Sequence, residues 1–143
     1  MGQNKKKKFK DTIFDCVSDS EIEFPEGHTI KRSFHPLAYG DRLTYVYGLD
    51  GAGHTIAVIN VSYEILISKR WVTIIRMDSA HGFLHRHARF SLENEMANVE
   101  NVSMPKKGTQ KELLRWAIKN LSFHFYEYKI HFCKNSNIDI SQL

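Results

Sequence analysis

The chain has little cysteine, little proline and no long apolar run. Its two cysteines, Cys16 and Cys133, are widely separated, and neither has a second cysteine at metal-binding spacing. That excludes a zinc finger and points to reduced thiols in the cytoplasm. The longest apolar runs, such as Ile56 to Ile59 and Ile65 to Ile67, fall far short of the roughly 18–20 residues needed to cross a bilayer. No membrane association is expected. No secretory signal is expected either, because the basic start Lys5 to Lys8 runs into Phe9-Lys10-Asp11 rather than an apolar stretch. The three prolines, Pro25, Pro36 and Pro105, all fall where no regular periodicity is visible.

What is present is the composition of a folded protein. Hydrophobic residues make up 42% and charged residues 25% of 143 positions, close to globular averages, so the chain should bury a core without disulfides or a structural metal. We expect residues 1–11 to form a flexible basic arm and residues 12–143 a single domain. Four of the 20 basic side chains, Lys5, Lys6, Lys7 and Lys8, are packed into one run of that arm, so the net charge of +4 is partly a tail. Such a tail attracts polyanions by counterion release, or simply keeps a protein soluble.

From Thr12 to about Gly40 the pattern is irregular and no element is assigned. Regularity then begins. Leu43 to Gly48 is rich in β-formers, and Asp50-Gly51-Ala52-Gly53 is a hairpin turn. His54 or Thr55 to Ile67 reads as the return strand, with a break near Asn60 to Ser62, and Ser68-Lys69-Arg70 as the next turn. Trp71 to Met77 and Leu84 to Phe90 supply a third and a fourth strand. The links are too short for parallel crossovers, so an antiparallel meander is expected. Asn94 to Gly108 reads as an exposed connection. Thr109 with Glu112 has capping-box spacing, and Leu114, Ile118, Leu121, Phe125, Tyr128 and Phe132 recur at helical steps. Tyr126 to Phe132 also alternates with period two, which leaves open a switch to strand near Phe123. The expected fold is α+β: an antiparallel four-stranded meander covered on one face by a C-terminal helix.

The chemistry concentrates in Arg76 to His87, which holds three of the eight histidines, two arginines and one carboxylate. On strands, residues two apart share a face, so Arg76 projects with Asp78 and His85 with His87. If the two strands form a hairpin, Asp78 stands opposite His85 and Arg76 opposite His87, which places all four on one side. His81 would lie in the loop above.

Two chemistries fit such a patch. Without metal, a histidine moves a proton, arginine stabilises developing negative charge on a phosphate and aspartate orients a histidine. That is the logic of RNA cleavage through the 2′-hydroxyl. With metal, His85, His87 and either Asp78 or His81 would offer three ligands on one face. The plainer alternative is a surface charge pair of no function, worth under about 1 kcal/mol.

The block Trp71 to His87 resembles the central block of the TumE-type toxin family, in which a strand ends in Arg-aromatic-Asp-Asn and is followed by a short loop and His-x-His. The likeness extends loosely over Leu43 to Leu121. Carried over by position, the family's arginine and aspartate fall on Arg76 and Asp78 and its histidines on His85 and His87, with His81 a looser match. Met77 stands where the family has an aromatic and Ser79 where it has asparagine. A related family of short proteins of unknown function fits as well. The resemblance implies the toxin half of a toxin–antitoxin pair, acting on RNA and held by an antitoxin protein.

The leading expectation is therefore a cytoplasmic, toxin-like ribonuclease that needs no cofactor. His85 or His87 would act as acid or base, with Arg76 and Arg86 on the phosphate and Asp78 positioning an imidazole. The alternatives are a metal-dependent hydrolase or oxygenase using His85, His87 and Asp78, and a module that only binds nucleic acid or a partner. That module would use Lys5 to Lys8 together with a basic helix surface of Lys111, Arg115 and Lys119.

Overall fold

Alternating side chains explain the centre of the domain. In Asp41–Leu49 and Thr55–Ile67, one set of alternate positions is apolar and buried (Leu43, Val58, Val61, Tyr63, Ile65), so pairing these strands builds a hydrophobic face. The computed structural model describes residues 27–79, 84–94, 97–101 and 108–143. Along the chain come β1 (Thr29–Ala38), β2 (Asp41–Leu49), β3 (Thr55–Ile67), β4 (Arg70–Asp78), β5 (His85–Arg89), β6 (Ala97–Asn101) and α1 (Gln110–Asn135). A short 3-10 turn, Ile140–Gln142, follows the helix. The strands form one antiparallel sheet in the order β1-β2-β3-β4-β5-β6.

The α+β architecture and the antiparallel meander are as expected, but the described residues form six strands rather than four. Both additional strands lie at the edges. β1 is largely exposed and carries Lys31, Arg32, His35 and Pro36, so it has no apolar period to read. Its proline is tolerated because an edge strand has one unpaired side, and the register shifts between Pro36 and Ala38. β6, Ala97-Asn98-Val99-Glu100-Asn101, lies inside the stretch read as an exposed connection and pairs with β5. Its single β-branched residue is Val99, too little for a pattern to register.

The turns follow their chemistry. The Asp50 carboxylate accepts from the backbone N–H groups of His54 and Ala52 at 2.8 and 2.9 Å, bonds that hold its carboxyl below the usual range. Gly53 takes φ of +83°, where a Cβ would be strained. Between β3 and β4, Ser68 and Lys69 both adopt left-handed backbone conformations, as a two-residue hairpin loop requires. The break expected near Asn60 is a bulge at Ile59 within a continuous strand.

α1 starts at an N-cap, Thr109, whose hydroxyl accepts from the Glu112 N–H at 3.3 Å. It runs without a switch to strand as far as Asn135. The helix lies chiefly over β3, burying Leu114, Ala117, Leu121 and Phe132 against the apolar sheet face. Asp41 and Lys129 are buried at this interface: Lys129 Nζ donates to Asp41 at 3.0 Å, and the Tyr63 hydroxyl donates to its other oxygen at 2.6 Å. Among the described residues no helix is long and apolar enough to cross a membrane.

Candidate functional site

Strand pairing places the candidate side chains. β4 and β5 pair with Arg76 opposite His87, Met77 opposite Arg86 and Asp78 opposite His85, the register expected from the sequence. Because directly opposed residues point the same way, Arg76, Asp78, His85 and His87 share one sheet face, while Met77 and Arg86 occupy the other. Met77, with Ile75 and Tyr63, belongs to the core beneath α1. The four site residues therefore lie on the face turned away from the helix.

They are also withdrawn from solvent, with exposures of 4% for Arg76, 3% for Asp78, 9% for His85 and 7% for His87. His87 Nε2 lies 3.2 Å from Asp78 Oδ2. The carboxylate thus joins the imidazole diagonal to it, fixing that ring and leaving Nδ1 as its other proton-carrying position. His87 Nδ1 is buried and makes no hydrogen bond. Two strand steps separate His85 from His87, about 6.6 Å of rise, so two imidazoles and a guanidinium stand side by side.

Arg86 is not part of this group. Period-two alternation sends it to the helix side, where its guanidinium donates to the Tyr128 hydroxyl at 2.8 Å. This corrects the expectation that it neutralises a phosphate beside Arg76. Lys5, Lys6, Lys7, Lys8 and His81 lie outside the described residues. Lys111, Arg115 and Lys119 are all exposed, four residues apart on one helix face. Among the described residues no three His, Cys, Asp or Glu side chains are grouped to hold a metal ion. Asp78, His85 and His87 therefore share a face without forming the three-ligand set considered above.

Two groups were missed by reading the sequence. Ser62 stands directly opposite Arg76 and donates to Asn60, so β3 contributes hydroxyl and amide groups to the same face. Asn60, Ser62 and Glu64 recur with period two inside an otherwise apolar strand, which was the available signal. The second is Ser79, which fixes the end of β4. Its N–H donates to the Val58 carbonyl at 3.0 Å, and its hydroxyl donates to Gln110 Oε1 at 2.7 Å in the first turn of α1.

The match with known proteins is at the level of family. No curated protein and no solved structure matches the chain. A family model described as a domain of unknown function, DUF7718, matches residues 26–138, most of the chain, and the protein belongs to that family.

Proposed function

We propose that this protein cleaves RNA without a metal ion, at the face formed by Arg76, Asp78, His85 and His87. The observation that supports this reading most directly is the buried Asp78–His87 pair, 3.2 Å apart, on the same sheet face as a second imidazole and a guanidinium. One imidazole would take the proton from a ribose 2′-hydroxyl as O2′ bonds to phosphorus. The other would protonate the 5′-oxygen as its bond to phosphorus breaks. Arg76 would stabilise the negative charge that builds on the phosphoryl oxygens between the two events. Asp78 keeps His87 in one orientation throughout. Burial strengthens each of these interactions, and it also means that this sheet face must open for a phosphodiester to enter.

The likeness of the block Trp71 to His87 to TumE-type toxins supports a place for this activity in a toxin–antitoxin pair, with an antitoxin protein as the holding partner. The test is to express the chain and its His85→Ala/His87→Ala variant, and to incubate the purified proteins with RNA in the presence of a chelator. Growth arrest and cleavage by the parent chain, both lost in the folded variant, are expected. Equal cleavage by the two proteins would rule the assignment out.

One observation favours a second reading, a module that binds nucleic acid without cleaving it. Lys111, Arg115 and Lys119 form an exposed basic row on α1, away from the imidazoles. On that reading, replacing all three with Ala weakens RNA binding and lowers its salt dependence, and no cleavage is seen in any variant.

A further inference from the structure

The polar sheet face continues beyond the imidazoles. By register, Phe34, Thr44 and Ser62 align across β1, β2 and β3 with Arg76 on β4 and His87 on β5, and Arg32, Val46 and Asn60 form the neighbouring row. Over the first three strands lies a pocket of about 180 Å³, lined among others by Arg32, Phe34, Arg42, Thr44, Asn60 and Glu64. That is below the roughly 300 Å³ at which pockets for drug-sized ligands begin, so it suits one flat group rather than an extended small molecule.

Its rim is aromatic. Phe34 is 67% exposed and Trp71 39% exposed, large apolar rings left in water on a face that also carries Arg32, Arg42, Thr44, Asn60 and Glu64. The Arg42 guanidinium lies 4.0 Å from the Trp71 ring centre and 5.1 Å from that of Phe34. It is held by Glu64 through two hydrogen bonds of 3.2 and 3.3 Å. A guanidinium fixed by a carboxylate between two rings is a preorganised stacking platform, because none of the three groups has to be ordered when a planar ligand arrives.

We propose that this pocket and its Phe34–Arg42–Trp71 rim bind an unpaired base of single-stranded RNA next to the nucleotide at the imidazoles. The inference rests on the reading of the Arg76–His87 face as an RNA-cleaving site and adds the subsite that holds the strand there. Three features select this ligand. Exposed rings and a guanidinium plane bind bases through their π-faces, as proteins that bind single strands do. Thr44, Asn60 and Glu64 offer donors and acceptors to a base edge. Arg32, Arg42 and Arg76 outnumber Glu64 and Asp78 among the charged groups that register places across β1 to β4 on this face, which suits a polyanion. From the Thr44 strand to the His87 strand is three inter-strand spacings, roughly 14 Å, so one extended strand can occupy both places.

The experiment is fluorescence anisotropy of the full chain with a short single-stranded RNA whose 2′-O-methyl groups prevent cleavage, run beside a cleavage assay on the unmodified RNA. Phe34→Ala and Trp71→Ala are each expected to weaken binding about tenfold or more. Phe34→Tyr should retain it, and the salt dependence should stay that of the parent, because no phosphate contact is removed. Circular dichroism confirms that each variant folds. No RNA binding by the parent chain, or unchanged binding in both alanine variants, overturns the subsite. So does capture of a polyglutamate peptide, lost in Phe34→Ala, in preference to RNA. RNA binding that depends on Phe34 with no cleavage of the unmodified strand supports the subsite and sinks the ribonuclease reading alone. Cleavage that needs His85 and His87 while binding ignores Phe34 does the reverse.

Discussion

The Asp78 carboxylate, directly opposite His85, pairs with the imidazole diagonal to it, His87, at 3.2 Å. Diagonal partners across an antiparallel pair are about 7–8 Å apart at Cα, within the joint reach of an aspartate and a histidine. The consequence is a carboxylate behind His87 that holds its ring in one orientation. Asp78→Asn keeps the shape but replaces the carboxylate that holds the His87 ring. RNA cleavage should therefore fall by roughly 10²–10⁴-fold, the range a positioned acid–base group contributes, while far-ultraviolet circular dichroism stays that of the parent chain. Parental cleavage rates in Asp78→Asn would show that the pair has no part in the reaction.

Arg86 and Arg76 provide a control pair, since they sit on adjacent strands but on opposite faces. Arg86 donates to Tyr128 on α1. Arg86→Ala should lower the stability read from urea unfolding by about 1.5–3 kcal/mol, the range for a hydrogen bond to a charged group, and leave turnover per folded molecule unchanged. Arg76→Lys should do the opposite, impairing cleavage with little change in the urea midpoint, because a lysine keeps the charge but loses the planar fork. If Arg86→Ala abolishes cleavage without unfolding the chain, the separation of faces does not describe the site.

The parts of the fold that could be read from sequence are those in which one pattern dominates. Strands β2 to β5 declare themselves through alternation and through the Asp50 and Ser68 turns, and the pairing of Arg76 with His87 follows from counting along two strands. Arg86 shows how the reading failed: it was grouped with its neighbours by proximity in sequence, although the same period-two rule that joins His85 to His87 sends the residue between them to the other face. β1 was not legible because this edge strand buries little and Lys31 and His35 interrupt any apolar stripe, and β6 because its sequence, with Asn98 and Glu100, holds a single β-branched residue. The Phe34–Arg42–Trp71 stack was beyond sequence reasoning altogether. Its members come from three strands, and only the register brings them together.

The β3–β4 turn retains strain that can be removed. Ser68 has φ of +49° and Lys69 +65°, a conformation in which an ordinary Cβ crowds the following carbonyl. Asn and Gly are the residues such a two-residue loop prefers. Ser68→Asn/Lys69→Gly should raise the unfolding free energy by about 1 kcal/mol, visible as a higher urea midpoint with the slope unchanged. A lower midpoint would mean that the turn is held by contacts of the Lys69 side chain rather than by backbone preference.

Tyr63 and Cys133 tie the buried helix–sheet interface to alkaline stability. Burial, and then the Asp41 carboxylate that accepts its proton, push the Tyr63 hydroxyl far above the usual phenol range. Burial also raises the Cys133 thiol, with Lys129 opposing the shift and Asp41 adding to it. Above the unfolded-chain values of about 8.5 for a thiol and 10 for a phenol, the unfolded chain releases protons that the folded chain retains. The folded state then binds more protons than the unfolded one, so stability must fall as pH rises. The contribution is complete at neutral pH and lost progressively from about pH 8.5 upward. Tyr63→Phe removes the phenol's share: the decline above about pH 10 should become shallower, while at pH 7 the variant is less stable by about 1–3 kcal/mol because one Asp41 oxygen loses its donor in a buried site. Urea unfolding of both proteins across this pH range decides the matter, and parallel stability curves would contradict the assignment of Tyr63 as a proton held by the fold.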